Sequence, residues 1–158
     1  MPSNQKQILI LGVGNDILGD DGIGLVAVRA LRIEFQDTID VVEAAMGGLQ
    51  LMELLEGYQK VLILDAIITT EHPPGTILEL SKEEFKHTVA IAPHFVSLPE
   101  SLQLAETLGI PFPDEIRILA MEINDPFELH EGLSPAIQSA LPLLIDRART
   151  VVHQLQNI

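Results

Sequence analysis

Apolar and polar positions along this chain follow two rhythms in turn. Ile8-Leu9-Ile10-Leu11 is an unbroken apolar run; beyond a glycine-rich turn, Ile23, Val26, Ala27, Ala30 and Leu31 recur at the spacing of one helix face. The pattern predicts a strand, a tight turn and a helix from about Gly22 to Phe35. Ile39 to Ala44 reads as a second strand, and Leu49 to Leu55 as a short helix stopped by Gly57. Between them Met46-Gly47-Gly48 forms a loop. Lys60 to Ala66 is almost continuously apolar, as a central strand covered on both faces must be.

The link from Ile67 to Gly75 contains Pro73-Pro74-Gly75 and is shorter than the crossover of about a dozen residues that parallel strands require. Thr76 to Leu80 is therefore expected to run antiparallel to the Lys60–Ala66 strand. Ser81 to Val89 is polar and charged and reads as an exposed connection. Ser97-Leu98-Pro99-Glu100 has the Ser-x-x-Glu spacing of a helix start, which predicts a helix from Leu98 to Leu108 ending at Gly109. Glu115 to Ala120 is a further strand, and Glu122 to Gly132 an acid-rich loop whose charges should be solvated. Ser134 as cap and Pro135 in the first turn open a last helix reaching about Leu155, with a bend or restart at Pro142. These elements sum to an α/β fold: three layers, a mostly parallel five-stranded mixed sheet with helices on both faces, in a single domain over residues 1–158.

Composition sharpens this picture in three places. With 5 Phe, 1 Tyr and no Trp, the core must be built from Leu, Ile, Val and Ala. Nine basic residues against 23 acidic ones give a net charge of −14, which repels nucleic acid and anionic lipid and favours a basic or metal-bearing partner. The absence of cysteine excludes disulfides, thiolate nucleophiles and cysteine-held zinc, so any metal must be held by oxygen or imidazole. No apolar run approaches membrane-spanning length and the polar N-terminus has no signal-peptide core, so a cytoplasmic protein with no membrane partner is expected.

The candidate chemistry begins in the stretch Gly12 to Gly24, for which three readings compete. A dinucleotide-binding turn, with Glu43 at the end of the second strand as the ribose acid, needs a third glycine where Ile17 stands. It would also set a pyrophosphate among Asp16, Asp20 and Asp21. In a second reading Asp20 or Asp21 caps the following helix, which needs only one carboxylate. The third is a cation site formed with partners elsewhere. Asp65 ends the central strand, where ligands collect in open α/β sheets, and His94 follows Pro93 at a loop-to-helix junction. Asp21, Asp65 and His94 should share one edge of the sheet, and two carboxylates with an imidazole suit a divalent ion. His72, His87 and His153 carry no special reading.

Gly12-Val13-Gly14-Asn15 with Asp20-Asp21-Gly22-Ile23-Gly24, then Asp65-Ala66, Pro93-His94 and Gly132-Leu133-Ser134-Pro135, resemble the ordered motifs of the [NiFe]-hydrogenase maturation proteases. The resemblance implies an endopeptidase that removes a C-terminal extension from the hydrogenase large-subunit precursor once nickel is in place. It implies a nickel-sensing site at Asp21, Asp65 and His94, with nickel supplied by the substrate or another divalent cation held in the resting site. With a resident metal polarising the carbonyl or a bound water, a free carboxylate such as Asp20 or Asp16 would move the proton; with nickel supplied by the substrate, a carboxylate would assist water attack. The protein is expected to be a monomer. Two positions depart from the family pattern: Asp21 stands where glutamate is frequent, and Glu43-Ala44-Ala45 where Asp-Gly-Gly is frequent. The alternatives are a Rossmann-like nucleotide-binding protein and a metal-binding maturation chaperone without hydrolytic activity.

Overall fold

The computed structural model describes residues 6–45, 49–86, 97–124 and 131–158. The first apolar run lies within strand β1 (Lys6–Val13), and a 3₁₀ turn (Gly19–Gly22) leads from it into helix α1 (Ile23–Phe35). Strand β2 (Asp40–Ala44), helix α2 (Leu49–Leu55) and strand β3 (Tyr58–Ile67) follow. Next come β4 (Ile77–Ser81), α3 (Lys82–Lys86), α4 (Ser97–Leu108), β5 (Glu115–Glu122) and α5 (Pro135–Gln156).

The five strands lie in the order β2-β1-β3-β5-β4. The pairs β1–β2, β1–β3 and β3–β5 are parallel, and β4 runs antiparallel along β5, as the short link from Ile67 requires. Alternation along the strands divides the core in two. Ile8, Ile10, Leu62, Leu64, Leu119 and Met121 pack with α1 and α5 on one face. Leu9, Leu11, Val61, Ile63, Ile116 and Ile118 pack with Leu51 and Leu55 of α2 on the other. Burial on both faces is why β3 reads as an unbroken apolar run.

Three expectations are corrected. Ser81 to Val89 is not one exposed connection: α3 occupies Lys82–Lys86, and Ser81 Oγ accepts the Glu84 amide at 3.2 Å. Ser81-Lys82-Glu83-Glu84 carries the same Ser-x-x-Glu signal as Ser97-Leu98-Pro99-Glu100. Residues 87–89 of that stretch, and Met46-Gly47-Gly48, lie outside the described residues. Glu122 is not part of a solvated loop; it ends β5 and is buried. The last helix runs as one element through Pro142, without a restart.

Candidate active site

Strand order decides where a ligand can sit. From β1 the chain returns to β2 on one side, whereas from β3 it moves on to β4 and β5 on the other. Connections that diverge in this way leave a crevice beyond the carboxyl ends of β1 and β3, the place where open α/β sheets hold their ligands. Asp21 follows β1 in the 3₁₀ turn and Asp65 stands near the end of β3. Both are buried, with 0% and 2% of their surfaces exposed. Glu122 is the other buried charged residue among the described ones.

Two glycines allow this placement. A β-carbon on Gly14 would collide with the carbonyl of Asp21, and one on Gly24 would collide with the carbonyls of Val13 and Leu64. The turn and the first residues of α1 therefore lie directly on the ends of β1 and β3. Asp21 precedes Gly24 by one turn and Asp65 follows Leu64, so the two aspartates flank a single backbone contact. Asp65 Oδ1 accepts the Ala66 amide at 2.7 Å, which fixes its side chain at the strand end. Burying a carboxylate carries a desolvation cost, which a cation at these strand ends would offset.

His94 lies outside the described residues, as do Pro93, His87, Asp125, Glu128 and His130. Among the described residues, no three His, Cys, Asp or Glu side chains gather in a metal-holding group. His72 and His153 are exposed.

The remaining acids of the glycine-rich stretch are committed to structural bonds. Asp20 Oδ1 accepts the Ser134 amide and Oδ2 the Ser134 hydroxyl, both at 2.7 Å. Asp16 pairs with Arg29 at 2.8 Å. Neither is the free carboxylate expected to move a proton. Neither Asp20 nor Asp21 stands at the cap position of α1, which Gly22 occupies. Glu43 accepts from Arg29 at 2.8 Å and from Arg32 at 3.0 Å, and the Arg29 hydrogen bond in particular holds its carboxyl below the usual glutamate range. With Glu43 engaged and the Asp21 carbonyl filling the space over Gly14, the dinucleotide reading loses both of its supports. Sequence reasoning missed Glu122; its Oε2 accepts the Thr69 amide at 2.8 Å and its Oε1 accepts the Thr69 hydroxyl.

The hydrogenase maturation protease family model matches residues 23–151. The chain belongs to the hydrogenase maturation protease family. The matched span contains Asp65 and His94 and starts just after Asp21. The hydrogenase 2 maturation protease of Escherichia coli strain K12 is 28% identical over 152 residues, 94% of this chain and 92% of that protein. The hydrogenase maturating endopeptidase HybD from E. coli superposes with a TM-score of 0.82 at 27% identity, covering 94% of this chain and 93% of that one. The [NiFe] hydrogenase maturation protease HybD from Thermococcus kodakarensis gives 0.74 at 25% identity, over 92% and 98% of the two chains. The sheet and helices described above are thus the fold of these maturation proteases. No helix among the described residues is long and apolar enough to cross a membrane.

Proposed function

We propose that this protease removes the C-terminal extension from the nickel-loaded large-subunit precursor of a [NiFe] hydrogenase, recognising the nickel carried by that substrate at Asp21, Asp65 and His94. The observation that carries the reading is the burial of two aspartates beyond β1 and toward the carboxyl end of β3, in a chain of the hydrogenase maturation protease family. Carboxylate and imidazole donors suit a borderline divalent ion, and a set of three leaves coordination positions for the substrate's own ligands.

In this reading the chain contributes donors, orientation and a proton acceptor. Asp21 and Asp65 present negative oxygens to the substrate's metal, which anchors the precursor so that its tail lies across the crevice. Anchoring converts the attack of water on the scissile amide into a step between prepositioned partners. With no cysteine in the chain, a thiolate acyl-enzyme is excluded. Asp16 and Asp20 are held by Arg29 and Ser134, so the proton of the attacking water passes to a carboxylate of the crevice itself. A site that waits for the substrate's nickel can report whether insertion has occurred; one filled by a resident cation cannot.

The test is incubation with nickel-loaded and nickel-free precursor, reading loss of the tail by intact mass. Cleavage of the nickel-loaded form alone is expected. Asp65→Asn keeps the side-chain shape but removes a charged donor, and processing should fall below detection. Equal cleavage of the nickel-free precursor, or tail removal by Asp65→Asn at the normal rate, would overturn the reading. A precursor that binds but keeps its full length would instead mark a chaperone.

A further inference from the structure

We propose that Asp20 is a positioning residue for Asp21, acting through Ser134 at the start of α5, a role that rests on the assignment of Asp21 to nickel recognition. The 3₁₀ turn that carries Asp21 is only four residues long, an element too short to hold a side chain in place by itself. Just before it, Asp16 and Ile17 are exposed. Beyond its packing against the strand ends, the turn is tied by side-chain bonds to the far end of the chain. Both oxygens of Asp20 are bound by Ser134, one by the amide and one by the hydroxyl, each at 2.7 Å and 114 residues away in sequence. A two-point grip on the Asp20 side chain constrains its torsions, and one planar peptide separates Asp20 from Asp21.

Ser134 occupies the N-cap position of α5, with extended backbone angles of −64° and 159°, yet its side chain makes no cap bond. Serine at this position ordinarily turns its oxygen onto the helix amides and stabilises the helix. Here the hydroxyl donates to Asp20 instead, so stability available to α5 is forgone in favour of a tie to the turn beside Asp21.

Helix α5 is a suitable anchor because it is fixed to the sheet along its length. Ile137, Leu144, Ala148, Val152 and Leu155 are fully buried in the core. At its other end, Lys60 of β3 donates to the carbonyls of Leu155 and Ile158 at 2.7 and 2.8 Å. One helix therefore holds β3, which carries Asp65, and, through the two Asp20–Ser134 bonds, the turn that carries Asp21.

The experiment measures binding of Ni²⁺ alone by calorimetry, and kcat on nickel-loaded precursor, for five variants: Asp21→Ala, Asp20→Ala, Asp20→Asn, Ser134→Ala and Ser134→Thr. Thermal melting first sets a temperature below every variant's transition, so loss of fold is not read as loss of affinity. Ser134→Ala changes no charge and removes one of the two bonds; it and Asp20→Ala should weaken Ni²⁺ binding roughly tenfold and lower kcat. Asp20→Asn can accept the Ser134 amide and donate to its hydroxyl, and Ser134→Thr keeps both donors, so both should stay close to the unmodified protein. Normal Ni²⁺ affinity in Ser134→Ala and Asp20→Ala, with loss in Asp21→Ala, would overturn the positioning role and leave the assignment of Asp21 intact. Loss in Asp20→Asn as deep as in Asp20→Ala would also overturn it, by showing that Asp20 acts through its charge. Normal affinity in Asp21→Ala would remove the assignment of Asp21 itself, and the positioning role with it.

Discussion

Glu43 ends β2 as an acid at the place where a nucleotide fold would use one, yet its two oxygens face Arg29 and Arg32 of α1. The Arg29 bond lowers its pKa below that of an unfolded glutamate, with Arg32 adding to the effect. A depressed carboxylate pKa contributes stability that is present above the ordinary glutamate range and lost as pH falls through the folded value. Both arginines are more than a third exposed, so solvent screens the cluster and its worth is about 1 kcal/mol. Glu43→Gln should lower the free energy of urea unfolding by about that amount at neutral pH, with the difference lost in acid as the folded carboxyl protonates. An equal deficit at neutral and acid pH would assign the loss to packing rather than charge. Asp65 was legible in the sequence because it interrupts the apolar run of the central strand, and Asp21 because it stands between the glycine turn and the apolar stripe of α1. The pairing of Glu43 was not, because it depends on which face of α1 lies over β2.

The link between β3 and β4 is held at both ends by one residue of a third strand. The Glu122 carboxylate accepts from the amide and hydroxyl of Thr69, while its main chain bonds Gly75 and Thr76, each at 2.8 Å. Thr69 Oγ1 also accepts the Glu71 amide at 3.2 Å, closing a turn around Thr70, whose φ of 63° is unusual for a β-branched residue. A strained residue persists only when its surroundings hold it, and here Glu122 supplies much of that hold. Glu122→Leu would leave the partly buried Thr69 donors without their acceptor and should cost about 2 kcal/mol in chemical denaturation. Glu122→Gln retains an acceptor and should cost clearly less. A Glu122→Leu protein as stable as its parent would show that the link holds itself. From sequence, Glu122 looked like the first of several solvated acids, because local charge density says nothing of a partner on the neighbouring strand.

For the whole molecule, 23 acidic residues against nine basic ones make self-repulsion a standing cost of compactness. Ion pairs such as Arg149 with Glu34 and Arg117 with Glu79 engage only part of the acidic excess. Added salt screens repulsion and attraction alike, but repulsive pairs are in the majority, so Tm should rise from low to moderate sodium chloride. A fall in Tm over that range would mean that the ion pairs outweigh the excess charge. The sequence by itself determined the five strands, the helices other than α3, the antiparallel edge and the positions of Asp21 after the glycine turn and Asp65 in the central strand. Apolar period and connection length are properties of neighbours along the chain, readable without knowing the fold. Only the tertiary structure decided which acids are taken up by bonds: Asp20 by Ser134, Asp16 and Glu43 by the arginines of α1, Glu122 by Thr69. Such bonds form between groups that strand order and helix phase bring together, and those are set by packing the whole chain at once.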